Sequence, residues 1–127
     1  MKPAESRSIQ RLVQLGLCSP SDIKNAMLEA ERLSSHESLS KIRDAERLLR
    51  ILGDSNRIKI LLLLSKREMC VCEIESALKL AQPTVSHHLA LLEQADLLQR
   101  NKRARWVFYK VNDSPILDVV REMVLGE

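Results

Sequence analysis

A chain of 127 residues and 14.5 kDa gives room for one hydrophobic core and excludes a second catalytic domain. With 45% hydrophobic and 29% charged residues the composition is that of a soluble globular protein rather than a disordered one. The longest apolar run, residues 60–64, falls far short of the roughly 18 residues a membrane span needs.

Few glycines and prolines interrupt a sequence dominated by Leu, Ala, Glu, Lys and Arg, so a mainly helical fold is expected. The start, Met1-Lys2-Pro3, lacks the apolar stretch of a signal peptide, and a cytoplasmic protein is the expectation. Three cysteines without an export signal read as reduced thiols, not as a disulfide framework. The net charge of +3 is unevenly placed: residues 97–111 hold Arg100, Lys102, Arg103, Arg105 and Lys110 with no acid, while the remainder has 15 basic and 17 acidic residues, or −2. Such a local basic segment points to a polyanionic partner.

In chain order, Ile9, Leu12, Val13 and Leu17 mark a helix within residues 4–17. Ser19-Pro20-Ser21-Asp22 combines a cap, proline at the first helical position and an acid three residues after the cap, which opens a second helix. A polar break at residues 34–38 precedes a third, carried by Leu39, Ile42, Ala45, Leu49 and Leu52 and closed by Gly53. Asp54 or Ser55 caps a fourth helix to about Leu64, whose nearly continuous apolar run demands deep burial. A fifth over residues 71–80 and a sixth from Pro83 to about Ala95 are separated by a tight break near Ala81, the spacing of a helix-turn-helix.

From Leu97 the period becomes alternating, and Trp106-Val107-Phe108-Tyr109 has strand composition. Paired with residues 97–100, it makes a hairpin whose basic turn is residues 101–104. That turn lacks glycine, so Asn101 is the candidate for a left-handed position. Ser114-Pro115 caps a last helix showing Ile116, Val119, Val120, Met123 and Val124 on one side, a face suited to another subunit.

On the sixth helix Val85, Leu89 and Leu92 lie within about 60° of each other and face the core. Thr84, Ser86, His87 and Ala90 lie opposite, short or hydrogen-bonding side chains that let a helix approach the floor of a DNA groove. Gln82 has the bidentate chemistry for adenine. His88 sits on the flank of the apolar stripe, where packing or a phosphate contact competes with base reading. Arg100, Lys102, Arg103 and Arg105 on the hairpin suit phosphates or a minor groove, as a wing beside a recognition helix does.

Leu52-Gly53-Asp54-Ser55-Asn56-Arg57-Ile58-Lys59-Ile60-Leu61, Glu68-Met69-Cys70-Val71-Cys72-Glu73-Ile74 and Gln82-Pro83-Thr84-Val85-Ser86-His87-His88-Leu89, followed by the hairpin, resemble the ArsR/SmtB family of winged-helix repressors over about residues 40–127. The resemblance implies a homodimer that binds double-stranded operator DNA and lets go when a metal or metalloid binds. It also implies a metal site at Cys70 and Cys72. A second family site on the last helix is discounted, since Asp113, Asp118 and Glu122 come without histidine.

On a regular helix Cys70 and Cys72 would stand about 200° apart, so joint ligation requires an irregular first turn beside the reading helix. Lys66 and Arg67 favour thiolate there, and Glu68 and Glu73 oppose it. Soft thiolates select Cd, Pb, Cu(I), Zn or trivalent arsenic. Where arsenic-type relatives carry a third cysteine this chain has Glu75; resemblance to cadmium-sensing relatives implies Cys18 of the other protomer as the missing ligand, against its alternative as an inert small hydrophobe. Thiol redox sensing and a silent cysteine pair are the rival readings of Cys70/Cys72.

The expected architecture is therefore mainly α with a small β-hairpin, a winged helix-turn-helix. Residues 1–38 form a helical extension for dimerisation, and residues 39–127 hold the DNA-binding domain with its C-terminal dimerisation helix. A protein-interaction adaptor on the same scaffold is the alternative from another class. No membrane partner is expected, and no Gly-rich phosphate loop or nucleophile–base set argues for an enzyme.

Overall fold

Capping chemistry sets where the helices begin in the computed structural model, which describes residues 6–127. α1 (Arg7–Gln14) starts where the Ser6 hydroxyl accepts from the Ile9 amide at 3.2 Å; residues 4 and 5 of the helix expected there lie outside the described residues. α2 (Pro20–Leu33) opens on the expected capping box: Ser19 Oγ accepts from the Asp22 amide at 3.1 Å and the Asp22 carboxylate accepts from the Ser19 amide at 3.3 Å. These bonds hold the Asp22 carboxyl below its ordinary value.

α3 (His36–Leu52) begins earlier than the sequence suggests. Ser35 Oγ accepts from the Ser38 amide at 3.2 Å, so the polar stretch His36-Glu37-Ser38 is the first turn of the helix rather than a break. α4 (Ser55–Lys66) is capped by Asp54, which accepts from the amides of Asn56 and Arg57 at 2.9 and 3.1 Å.

The chain divides into two units, one ending at Asp44 and one running Ala45–Glu127, with the division inside α3. In the first, neither α1 nor α2 buries a residue. Leu12, Leu17, Met27, Leu28, Leu33 and Ile42 are all exposed there.

The second unit holds the core, built from Ile60, Leu61 and Leu64 of α4, Ile74 of α5 (Val71–Leu78), and Val85, Leu89 and Leu92 of α6 (Gln82–Gln94). α5 stops two residues short of the expected end because Lys79 turns left-handed, with φ 55°. The turn to α6 follows directly, and Ala81 caps α6 without a side-chain bond.

A three-stranded antiparallel sheet lies against these helices in the order β1-β3-β2. β2 (Leu98–Arg103) and β3 (Trp106–Val111) form the expected hairpin, with Leu98 opposite Val111 and Arg103 opposite Trp106. Its turn is only Ala104-Arg105. Asn101, expected in the turn, is paired with Phe108 inside the ladder, and Ala104 takes the left-handed position at φ 54°. β1 (Met69–Cys70), which the sequence pattern does not announce, pairs with β3 through Met69–Tyr109 and Cys70–Phe108.

α7 (Pro115–Leu125) splits its apolar residues between two surroundings. Leu117 and Val120 are buried and Ile116 packs against the core, whereas Val119, Met123 and Val124 are exposed, Met123 by 80%. The single face expected from the sequence is thus partly used inside the chain. Among the described residues, no helix is long and apolar enough to cross a membrane.

Candidate nucleic-acid interface and thiol site

α6 shows the two faces its sequence predicts. Val85, Leu89 and Leu92 are at most 1% exposed, while Gln82, Thr84, Ser86, His87 and Ala90 face solvent. That leaves a narrow strip of short polar side chains, with Gln82 at the amino-terminal end, on a helix held rigidly from behind.

His88 belongs to the buried side, only 7% exposed. Arg57 Nη1 lies 3.1 Å from its Nδ1, and a guanidinium has donors but no acceptor, so Nδ1 accepts and the ring proton sits on Nε2. Burial, above all, pushes the His88 pKa down, with Asp54 opposing and the Arg57 and His87 charges reinforcing the shift. Of the roles weighed for it, the geometry matches packing and removes it from direct base reading.

The basic hairpin is exposed along Arg100, Lys102, Arg103 and Arg105. Two of these cations have partners that the sequence does not reveal: Arg100 Nε lies 3.4 Å from Glu93, and Arg103 Nη2 lies 2.8 Å from Glu68. Arg103 also stacks over the Phe108 ring at 4.8 Å, and Arg105 over Trp106 at 5.0 Å. The arginines of both pairs are exposed, while Glu93 and Glu68 are half-buried. Lys102 has no carboxylate partner among the described residues.

The thiols are placed differently from the helical expectation. Cys70 is not in the helix: it closes β1 and caps α5 with extended backbone (φ −80°, ψ 162°), its amide donating to Glu73 Oε1 at 3.3 Å. The 200° separation therefore does not apply. Cys70 is buried and Cys72 is exposed; the neighbouring Cys70 thiol, above all, raises the Cys72 pKa above its ordinary value, with desolvation adding to the effect. Of the nearby cations, Arg67 is paired with Glu73, and Lys66 with Glu127 at 3.0 Å.

Beside the thiols opens a cleft of about 480 Å³ lined by Cys70, Cys72, Glu75, Gln82, Arg105 and Trp106 among others. It touches the first residue of α6 and the tip of the hairpin together. Cys18 lies in the other unit, half-buried, its Sγ donating to the Ser19 carbonyl at 3.7 Å. Cys70 and Cys72 offer two soft donors suited to a thiophilic ion. No group of three or more potential ligands is gathered among the described residues.

Residues 54–100, from the α4 cap into β2, match the family described as bacterial regulatory protein, arsR family. An 84-residue stretch is 36% identical to an HTH-type transcriptional regulator of Methanocaldococcus jannaschii, spanning 65% of this chain and 94% of that one. The chain belongs to the arsR family. It is also similar to an arsenical resistance operon repressor of Escherichia coli, 46% identical over 66 residues, or 51% of this chain and 56% of the relative. Among solved structures, reduced HlyU from Vibrio cholerae superimposes with a TM-score of 0.63 at 28% identity, covering 71% of this chain and 98% of that one. Arranged as an arsR-family protein, the helix-turn-helix α5–α6 and the hairpin wing constitute a winged helix-turn-helix, and the protein is a DNA-binding transcriptional regulator.

Proposed function

We propose that two copies of this chain form a repressor that holds an inverted-repeat operator and releases it when a thiophilic metal or metalloid ion binds Cys70 and Cys72. The observation that carries the reading is the position of Cys70, which ends a strand hydrogen-bonded to the wing strand and begins the helix preceding α6. Both DNA-facing elements are thus one connection away from the thiol pair.

In the dimer, two-fold symmetry sets the α6 helices in successive major grooves about 34–36 Å apart. Thr84, Ser86, His87 and Gln82 read base edges while Arg100, Lys102, Arg103 and Arg105 take phosphates. The exposed Val119, Met123 and Val124 of α7 supply the dimer contact, and the unburied stripes of α1 and α2 enlarge it, which gives those helices the partner surface they lack in one chain. Cys18 of the partner copy supplies a third thiolate.

A bound thiophilic ion supplies soft acceptor chemistry that replaces the thiol protons. The chain does the rest: Cys72 gives up a proton it holds more tightly than an ordinary thiol, and the α5 cap that Cys70 forms is rearranged. β1 transmits this to Phe108, over which Arg103 is stacked.

The test is a titration of reduced protein with arsenite, Cd, Pb, Zn and Cu(I), following thiolate absorption and operator anisotropy together. Release by at least one ion, abolished in Cys70→Ser and weakened in Cys18→Ala, is the expected result. The opening of both thiols onto one cleft also favours a redox switch as the second reading; release by oxidant and by no ion, lost in Cys70→Ser, selects it.

A further inference from the structure

Arg57 is the least exposed of the ion-paired cations, its side chain only 14% accessible. It makes three connections at once. Its Nε donates to the Ile51 carbonyl at 2.6 Å, its Nη2 lies 4.0 Å from the Asp54 carboxylate that caps α4, and its Nη1 donates to His88 Nδ1 at 3.1 Å. One side chain thereby ties the last turn of α3 and the first turn of α4 to the middle of α6. No apolar contact could do the same, because the Ile51 carbonyl and the His88 nitrogen both need a donor in a place sheltered from water.

We propose that Arg57 and His88 are positioning residues for DNA reading: they fix the rotation and height of α6 as long as His88 is neutral, and protonation of His88 opens the link. The chemistry allows only one state of the ring. Protonated, His88 has a donor at both nitrogens, so its Nδ1–H would face the Arg57 N–H group, charge against charge. The ring then leaves Arg57, and α6 loses its polar anchor. Thr84 stands one turn before His88, and Ser86 and His87 adjoin it, so the displacement falls on the exposed strip.

The charged groups that face the ring are Asp54 and Arg57 from α4 and His87 from α6, whose ring centroid is 5.9 Å away. Asp54 favours the protonated form and the other two oppose it; burial, the largest influence, also opposes it. Because the folded protein binds this proton less readily than the unfolded chain, the contribution of neutral His88 to stability is complete above the ordinary histidine value of about 6.5 and is lost as the pH falls through the lower folded value.

The inference rests on the DNA-binding reading, and the experiment separates the two. The full-length protein is titrated by NMR, following the three histidine rings and the α6 amides without DNA, and duplex affinity is measured over the same pH range for wild type and His88→Gln. The glutamine amide oxygen accepts from Arg57 but does not titrate. The expected results are a neutral Nε2–H tautomer of His88, a midpoint below about 6.5 that rises in Arg57→Gln, and amides of residues 84–90 that shift with that midpoint. Duplex affinity of the wild type should fall by about tenfold per pH unit per protomer below the midpoint, relative to a flat His88→Gln reference. A His88 midpoint indifferent to Arg57, α6 amides that ignore it, or a His88→Gln curve that follows the wild type would each overturn the proposal. If the amides move as expected but no duplex binds at any pH, the DNA reading fails while the link between Arg57 and α6 stands.

Discussion

The two units of this chain use the same helical amphipathicity to opposite ends. In the second, α4 and α6 spend their apolar residues on each other and on the sheet, and Ile60, Ile74, Val85 and Leu92 are wholly buried. In the first, α1 and α2 carry the side-chain caps that α6 lacks, yet bury nothing. Caps and periodicity therefore decide that a helix forms; only a facing surface decides that it contributes to a core, and most helical stability comes from that packing. On the proposed reading, the second unit folds and reads DNA, and the first meets another copy.

The largest expected effect breaks this contrast at its strong end. Leu92→Ala should lower the unfolding free energy by about 2–5 kcal/mol, whereas Leu28→Ala in α2 should change it by less than about 0.5 kcal/mol in dilute protein and act only on self-association, as read by denaturant melts at several protein concentrations. Next in size is the thiol pair. Cys70→Ser should leave duplex affinity nearly intact and abolish ion-induced release, seen by anisotropy.

Arg103→Ala with Arg105→Ala should weaken binding to all duplexes alike and flatten the salt dependence by about one unit for each phosphate no longer neutralised; a weakening confined to one sequence would contradict a wing that grips the backbone. The smallest effect is at the α2 cap. Ser19→Ala should cost about 1 kcal/mol of helix stability, and should return the Asp22 carboxyl towards its ordinary value, so the part of the acid loss of helicity that depends on this carboxylate becomes smaller and is complete at a higher pH than in the wild type.

How far the sequence reveals this structure depends on the range of the interaction. The Ser19–Asp22 box, the Asp54 cap and the buried side of α6 are legible because each is written within a few residues of itself. The two-residue strand β1 has no period to read, so the sequence pattern shows the helix from Val71 but not the strand that ends at Cys70 and sets its extended backbone. Ala104 occupies a left-handed position that costs alanine about 1–2 kcal/mol, which local propensity assigns to Asn101 instead; the pairing of β2 with β3 fixes the turn elsewhere. The Arg57–His88 link and the Arg103–Glu68 pair join residues 31 and 35 positions apart, and no local pattern announces them. The thiol environment escapes a sequence reading for the same reason: Arg67 and Lys66 are near Cys70 in sequence but engaged with Glu73 and Glu127 in space.

The most direct test of the account is amide hydrogen exchange of the whole protein with and without operator duplex. Protection should appear together on residues 82–90 of α6 and residues 100–106 of the wing, and should vanish from both on effector binding. Protection of either segment alone, or of neither while the protein is bound, would contradict a single duplex held by both.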